Sequence, residues 1–215
     1  MRKTRLQLRT DARTALLEPV AARWSDDELN RYLNLGQEDL AKVSQTVARA
    51  IVPVTAGTST VTAPSTILTI DDIWWESGGT RSPVEWCELP FEINTTDSGR
   101  PYYAWYEGGD IRLWPSPQAD GYLLVRGVKR PASMDTDTAT HDLPDLETVN
   151  EAIVAYCVWQ AYLSDYDPQR DTWAAKYAML KADFARMELE RNPRRLRVKN
   201  VYDDYLFPLT PFDYL

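Results

Sequence analysis

The residues able to do chemistry are few and scattered. The chain has one histidine, His141, set beside Asp142 in the polar stretch 132–142. A lone imidazole in such a stretch reads as a solvated loop side chain rather than a catalytic base. No second histidine exists to complete a zinc site, and Cys87 and Cys157 lack paired spacing. Asp71-Asp72 and the set Glu85, Glu88 and Glu92 offer carboxylates for general acid–base work. They flank strand-like runs with nothing convergent beside them, so they read as acids facing water. Asp135 and Asp137 have the spacing of a calcium-loop fragment, without the glycine and distal glutamate that such a loop needs. There is no phosphate-cradling glycine loop and no Gly-x-Ser-x-Gly. These spacings argue against an enzyme and call for no cofactor and no metal.

Aromatic residues are the more promising chemistry: the chain has eight Trp and twelve Tyr. Trp74, Trp75, Trp86, Trp105 and Trp114 fall in one strand-rich region. Adjacent residues on a strand face opposite sides, so one of Trp74 and Trp75 is exposed or held in an interface. A subunit contact is the simpler explanation of the pair; a stacking platform for a carbohydrate is the alternative. A second aromatic group lies in 192–215, with Tyr202, Tyr205, Phe207, Phe212 and Tyr214, three prolines and no helical stripe. Disordered tails are poor in aromatics, so this one reads as an arm ordered by docking on a partner. Fully extended, it reaches roughly 80 Å. Its neck is basic, with Arg191, Arg194, Arg195, Arg197 and Lys199, and suits an acidic partner or a phosphate backbone.

The net charge of -8 is uneven. Residues 1–23 carry six Lys/Arg against two Asp/Glu, 24–185 carry twelve against twenty-five, and 186–199 carry six against two. An acidic body argues against tight nucleic-acid binding by the globular part. The start of the chain has charge without an apolar run, so no secretory signal is expected, and no stretch reaches the roughly 18 apolar residues of a membrane span. The two cysteines read as buried free thiols suited to a reducing compartment, with a disulfide between them left open.

Four groups of elements must position these residues. Residues 4–17 predict a short amphipathic helix, capped by Thr4 and ended before Pro19. Ser25-Asp26-Asp27-Glu28 matches a capping box, with Trp24 at the staple position. Leu29, Tyr32, Leu33, Gly36, Leu40, Val43 and Val47 then predict one helix over about 26–49, roughly 36 Å long. Gly36 costs that helix about 1 kcal/mol relative to Ala, which implies that another chain or helix approaches closely there. Strands are expected at 51–55, 59–63, 67–76, 83–89, 102–106, 111–114 and 122–128, with Glu107-Gly108-Gly109-Asp110 as a tight hairpin. Leu146, Val149, Ile153, Tyr156, Gln160 and Leu163, then Trp173, Tyr177, Leu180, Phe184, Met187 and Arg191, predict two further helices joined at 165–168. Asn192-Pro193 stops the second. The fold class is α+β: a body of long antiparallel helices from 1–50 and 142–191, an antiparallel β insertion over 51–141, and the extended arm 192–215.

Three segments, in order, resemble the neck adaptors that join head to tail in tailed bacteriophages. The run Trp24-Ser25-Asp26-Asp27-Glu28-Leu29-Asn30-Arg31-Tyr32-Leu33-Asn34-Leu35-Gly36-Gln37 resembles that family's Trp-Ser-Asp opening and its Tyr-x-Asn-x-x-Gln helix. Gly99-Arg100-Pro101-Tyr102-Tyr103 followed by Ile111-Arg112-Leu113-Trp114-Pro115-Ser116-Pro117 is similar to its Gly-x-Pro and Leu-x-Pro-x-Pro hairpin, and Leu143-Pro144 similarly opens a helix pair. The resemblance covers roughly 4–190. It implies a structural protein of the virion neck, made in the bacterial host cytoplasm and assembled as a ring of twelve beneath the portal protein. The ring would extend the channel through which genomic DNA passes without sequence-specific binding. It would also give a downstream tail or nozzle protein its docking face, with no membrane partner. An arm reaching into the portal is similar to the role expected of 192–215.

Overall fold

Thr4 and Ser25 each start a helix in the same way. The Thr4 hydroxyl accepts from Gln7 N while the Gln7 side chain accepts from Thr4 N, and Ser25 and Glu28 repeat the exchange. These boxes open α1 (Arg5–Ala15) and α2 (Asp26–Ala41), the latter with three acids in its positive first turn. In this computed structural model, which describes residues 1–18, 20–44, 46–87 and 97–191, the chain divides into two compact units. One comprises Met1–Gln45 with Met134–Leu215, the other Thr46–Ser133.

The first unit adds α3 (Glu147–Ser164) and α4 (Gln169–Arg191). Helix α3 packs against the other three, and its small buried residues Ala152, Ala155 and Ala161 let them come close. Leu8, Leu29, Leu33, Leu40, Ile153 and Phe184 fill the core between them. The α+β class holds, but a body of long antiparallel helices is not supported. Helices α1 and α2 span only 11 and 16 residues, and α2 ends at Ala41 rather than near 49. The reason is competition: from Val47 the chain is paired along its length with another strand, and that ladder satisfies backbone groups the helix would otherwise hold.

Three of the basic residues of the amino-terminal segment are committed inside this unit. Arg5, Arg9 and Arg13 recur every fourth residue and so share one face of α1. Arg5 and Arg9 donate to Asp137, Arg9 also to Asn30, and Arg13 to Asp26 and to the carbonyl of Trp24. Asp137, a calcium-loop fragment by spacing, is an arginine anchor in space.

His141 corrects the expectation of a solvated loop residue. It is fully buried, with Nε2 3.0 Å from Asn150 Oδ1. Burial pushes its pKa below the ordinary imidazole value, outweighing the hydrogen bond to Asn150. The unfolded chain therefore takes up a proton near pH 6.5 that the folded chain refuses, so stability falls as pH drops below about 6.5. We expect the urea midpoint to decline from about pH 7 to about pH 5.5 and the His141→Gln variant to lose most of that slope. An unchanged slope in the variant would return His141 to solvent.

The second unit is a seven-stranded sheet in the order β1-β9-β3-β4-β6-β7-β2. Its strands are β1 (Val47–Val54), β2 (Thr60–Thr62), β3 (Ile67–Ser77), β4 (Thr80–Trp86), β6 (Tyr103–Glu107), β7 (Asp110–Trp114) and β9 (Gly121–Lys129). A two-stranded pair joins β5 (Ser98–Gly99) to β8 (Ser116–Pro117). Most pairs are antiparallel, but β4–β6 and β5–β8 run parallel, which alternation alone does not reveal. Gly108 and Gly109, both at positive φ, turn the β6–β7 hairpin. One face of the sheet is the unit's core, with Val54, Ile73, Trp75, Val84, Ile111, Leu113, Leu123 and Val125.

Candidate interaction surfaces

The other face of the sheet carries an apolar row between charged ones. Cross-strand register aligns Ile51 with Leu124, Leu124 with Trp74, and Trp74 with Pro83, one residue from each of β1, β9, β3 and β4. Side chains at directly paired positions lie on the same face about 5 Å apart, so these four form a continuous stripe. Ile51 is 68% exposed, Pro83 is exposed, and Trp74 and Leu124 are half-buried. The next row, Pro53–Tyr122–Glu76–Arg81, extends the stripe with the exposed ring of Tyr122 and closes it with the Arg81–Glu76 ion pair. On its other side stand Arg49, Arg126 and Asp72, where Arg49 directly opposes Arg126 and Arg126 pairs with Asp72. A contiguous apolar patch rimmed by charge marks a docking surface.

Alternation separates the Trp pair. Trp74 faces outward into the stripe, while Trp75, 4% exposed, lies in the unit's own core against Gly121. A Cβ on Gly121 would stand 2.6 Å from the Trp75 ring, so glycine makes the room the indole occupies. Trp75 thus serves the fold, where the sequence had left it a candidate for a subunit or tail contact. Gly36 has a similar explanation. Its close neighbour is Tyr156 of α3, 3.2 Å from where a Cβ would sit, and so is a helix of the same chain.

Tyr156 belongs to an aromatic group with Trp159 and Tyr177, whose centroids lie 5.1–5.9 Å apart. Tyr177 and Lys181 of α4 donate to Asp39 of α2 at 2.5 and 2.6 Å. Burial alone raises the Asp39 pKa, but the donors Lys181, Tyr177 and Lys42 outweigh it and hold the carboxyl at about 2. This is a structural clamp between two helices. The other carboxylates are similarly engaged: Asp72 with Arg126, Glu76 with Arg81, and Asp120, which accepts from Ala56 N. Asp71 and Glu85 are exposed, whereas Glu88 and Glu92 lie outside the described residues. Cys157 is buried and Cys87 half-buried, both free, and burial raises the pKa of each thiol. Among the described residues no group of His, Cys, Asp and Glu gathers as a metal site, and no helix is long and apolar enough to cross a membrane.

A further aromatic cluster forms where the two halves of the glycine–proline motif meet. Tyr102 and Tyr103 pack on Trp114 at 4.9 and 6.0 Å, and Gly99 abuts Pro115 closely. Sequence reasoning missed the stripe because it needs the register of four strands, although the outward positions Ile51, Trp74, Tyr122 and Leu124 were each visible as apolar. The candidate arm residues Arg194, Arg195, Arg197, Lys199, Tyr202, Tyr205, Phe207, Phe212 and Tyr214 lie outside the described residues.

Compared with known families, the chain matches the profile of the SU10 adaptor protein over residues 3–199, a span that takes in the sheet unit and all four helices. Comparison with curated proteins gave no match.

Proposed function

The chain belongs to the SU10 adaptor protein family, and on that premise we propose that it is a structural protein of a tailed-phage virion rather than an enzyme. It acts as a head-to-tail adaptor in the neck, forming a ring of twelve beneath the portal protein. The ring extends the DNA channel and gives a downstream tail or nozzle protein its attachment face. The observation that carries this reading is the family match across residues 3–199.

Two physical features support it. The stripe of Ile51, Leu124, Trp74 and Pro83 is a surface suited to contact between subunits. The acidic middle of the chain, twenty-five Asp/Glu against twelve Lys/Arg over 24–185, would let genomic DNA slide, since phosphate contacts are what grip it. The carbohydrate alternative retains Trp74 but loses Trp75 to the core. In this reading 192–215 is the arm that docks on portal, with Arg194, Arg195, Arg197 and Lys199 facing portal acids and Tyr202, Tyr205, Phe207, Phe212 and Tyr214 filling apolar sites.

The test is a deletion of 193–215. The truncated chain is expected to keep its melting temperature and to lose co-sedimentation with purified portal. Normal portal binding by the truncated chain would remove the arm from the account.

A further inference from the structure

Helices α1 and α3 end in the same unusual way. After the C-cap Leu16, Leu17 adopts φ 57°; Leu17 N donates to Thr14 O and Glu18 N to Arg13 O. After the C-cap Asp165, Tyr166 adopts φ 56°; Tyr166 N donates to Leu163 O and Asp167 N to Tyr162 O. Both are Schellman endings, whose left-handed position normally takes glycine because a Cβ there is strained. Leu17 and Tyr166 are the two non-glycine residues at positive φ among the described residues. Neither recovers that strain by burial, for Leu17 is 87% and Tyr166 83% exposed.

The two ends are neighbours. Arg23 pairs with Asp165, and Trp24 meets Tyr162 edge-on at 5.9 Å. The Glu18 carboxylate accepts from the backbone N–H groups of Ala22, Arg23 and Trp24, which ties the end of α1 to the start of α2. Leu17, Val20, Leu163 and Tyr166 therefore lie at one end of the helical unit, all exposed. Strain retained at an exposed apolar residue points to function outside the chain's own fold.

We infer that this projection seats on the apolar sheet stripe of a second copy of the chain, so that subunits associate head to tail. Three observations select that occupant. The projection presents exposed apolar side chains, and the stripe is an apolar row on the same chain. The exposed Arg49 borders the stripe beside the Arg126–Asp72 ion pair, while the projection carries Asp167 beside the Arg170–Asp171 pair, so Arg49 and Asp167 are the charges of opposite sign that would meet. Finally, a contact between unlike patches repeats from copy to copy and can build the ring of the reading above, whereas a like-with-like contact stops at a dimer. The inference rests on the ring reading above and names the surfaces that would make it.

The test uses two variants of the full chain. Leu17→Gly with Tyr166→Gly removes the projection while relieving strain, and should raise the melting temperature by about 2–4 °C per site. Ile51→Thr with Tyr122→Thr removes apolar stripe residues while preserving strand propensity. Sedimentation velocity over rising concentration, alone and with portal, reads assembly. Each variant is expected to weaken self-association by about 30-fold or more. An equimolar mixture of the two should form a dimer through its one intact contact and stop there. Wild-type assembly by the glycine variant would overturn the inference while leaving the ring reading intact. A wild-type chain that never self-associates, even on portal, would overturn the ring reading and this inference with it.

Discussion

Gly127→Ala is expected to destabilise the sheet unit by about 3 kcal/mol or more, a larger effect than alanine at any other of the nine glycines. Gly127 lies in β9, between β1 and β3, opposite Ala48 on one side and Ile70 on the other. The β3 register shifts between Ile67 and Thr69 and again between Ile70 and Asp72, so β3 carries irregularities on both sides of this point. Bulges bend a strand toward its partner, and here the carbonyl oxygen of Thr69 would stand 1.9 Å from a Cβ on residue 127. That neighbour is backbone and cannot rotate away, so β3 or β9 must move. Gly121→Ala meets a similar obstacle, the Glu76 carbonyl at 2.6 Å. The controls are Gly78→Ala and Gly79→Ala, where nothing lies within 4 Å and the cost is only the strain of φ 56° and 76°, about 1 kcal/mol each. Hydrogen exchange should show protection lost across β1, β9 and β3 in Gly127→Ala while the amides of α3 stay protected. Unchanged exchange in those strands would show that the sheet accommodates the methyl group.

Asn150→Leu is expected to cost the helical unit about 2–4 kcal/mol, although leucine matches asparagine closely in size. Asn150 is fully buried on α3 and joins that helix to the distant segment Met1–Lys3 and to His141. Its Oδ1 accepts from Lys3 N and faces His141 Nε2, while its Nδ2 donates to the Met1 carbonyl and to Glu147. Leucine would leave the buried His141 Nε2 without this partner, and a polar group orphaned in the interior forfeits its desolvation cost in full. Asn150→Leu should lower the urea midpoint and release the amides of residues 3–8 to exchange. In the double variant His141→Leu/Asn150→Leu part of the loss should return, because the imidazole is no longer stranded. A double variant less stable than the sum of the singles would contradict this coupling.

Local signals were readable in the sequence, and pairings between distant residues were not. The Ser25–Glu28 capping box and the Thr4 cap were visible because they are contiguous patterns, while the exchange of Thr4 with Gln7 came only with the structure. The strands of the sheet showed in their β-branched and aromatic alternation, and the β6–β7 hairpin in its Gly-Gly pair. The carboxy-terminal end of α2 was misjudged because Val43 and Val47 extend its 3-4 spacing, while the ladder between β1 and β9 that ends it pairs residues some seventy positions apart. His141 read as solvent-exposed because its neighbours are polar, yet its partner Asn150 and the segment at Met1–Lys3 enclose it from elsewhere. The left-handed endings at Leu17 and Tyr166 were hidden for the same reason that they matter: neither is glycine. The outward position of one Trp of the pair followed from strand alternation, but which one required the register.

The central claim, a ring-forming adaptor, is tested most directly by electron microscopy of the full chain mixed with purified portal protein. The account predicts a closed ring of this chain seated coaxially on the portal, with twelve copies around an open channel. Portal particles with no added density, or with this chain bound as isolated copies at irregular positions, would contradict it.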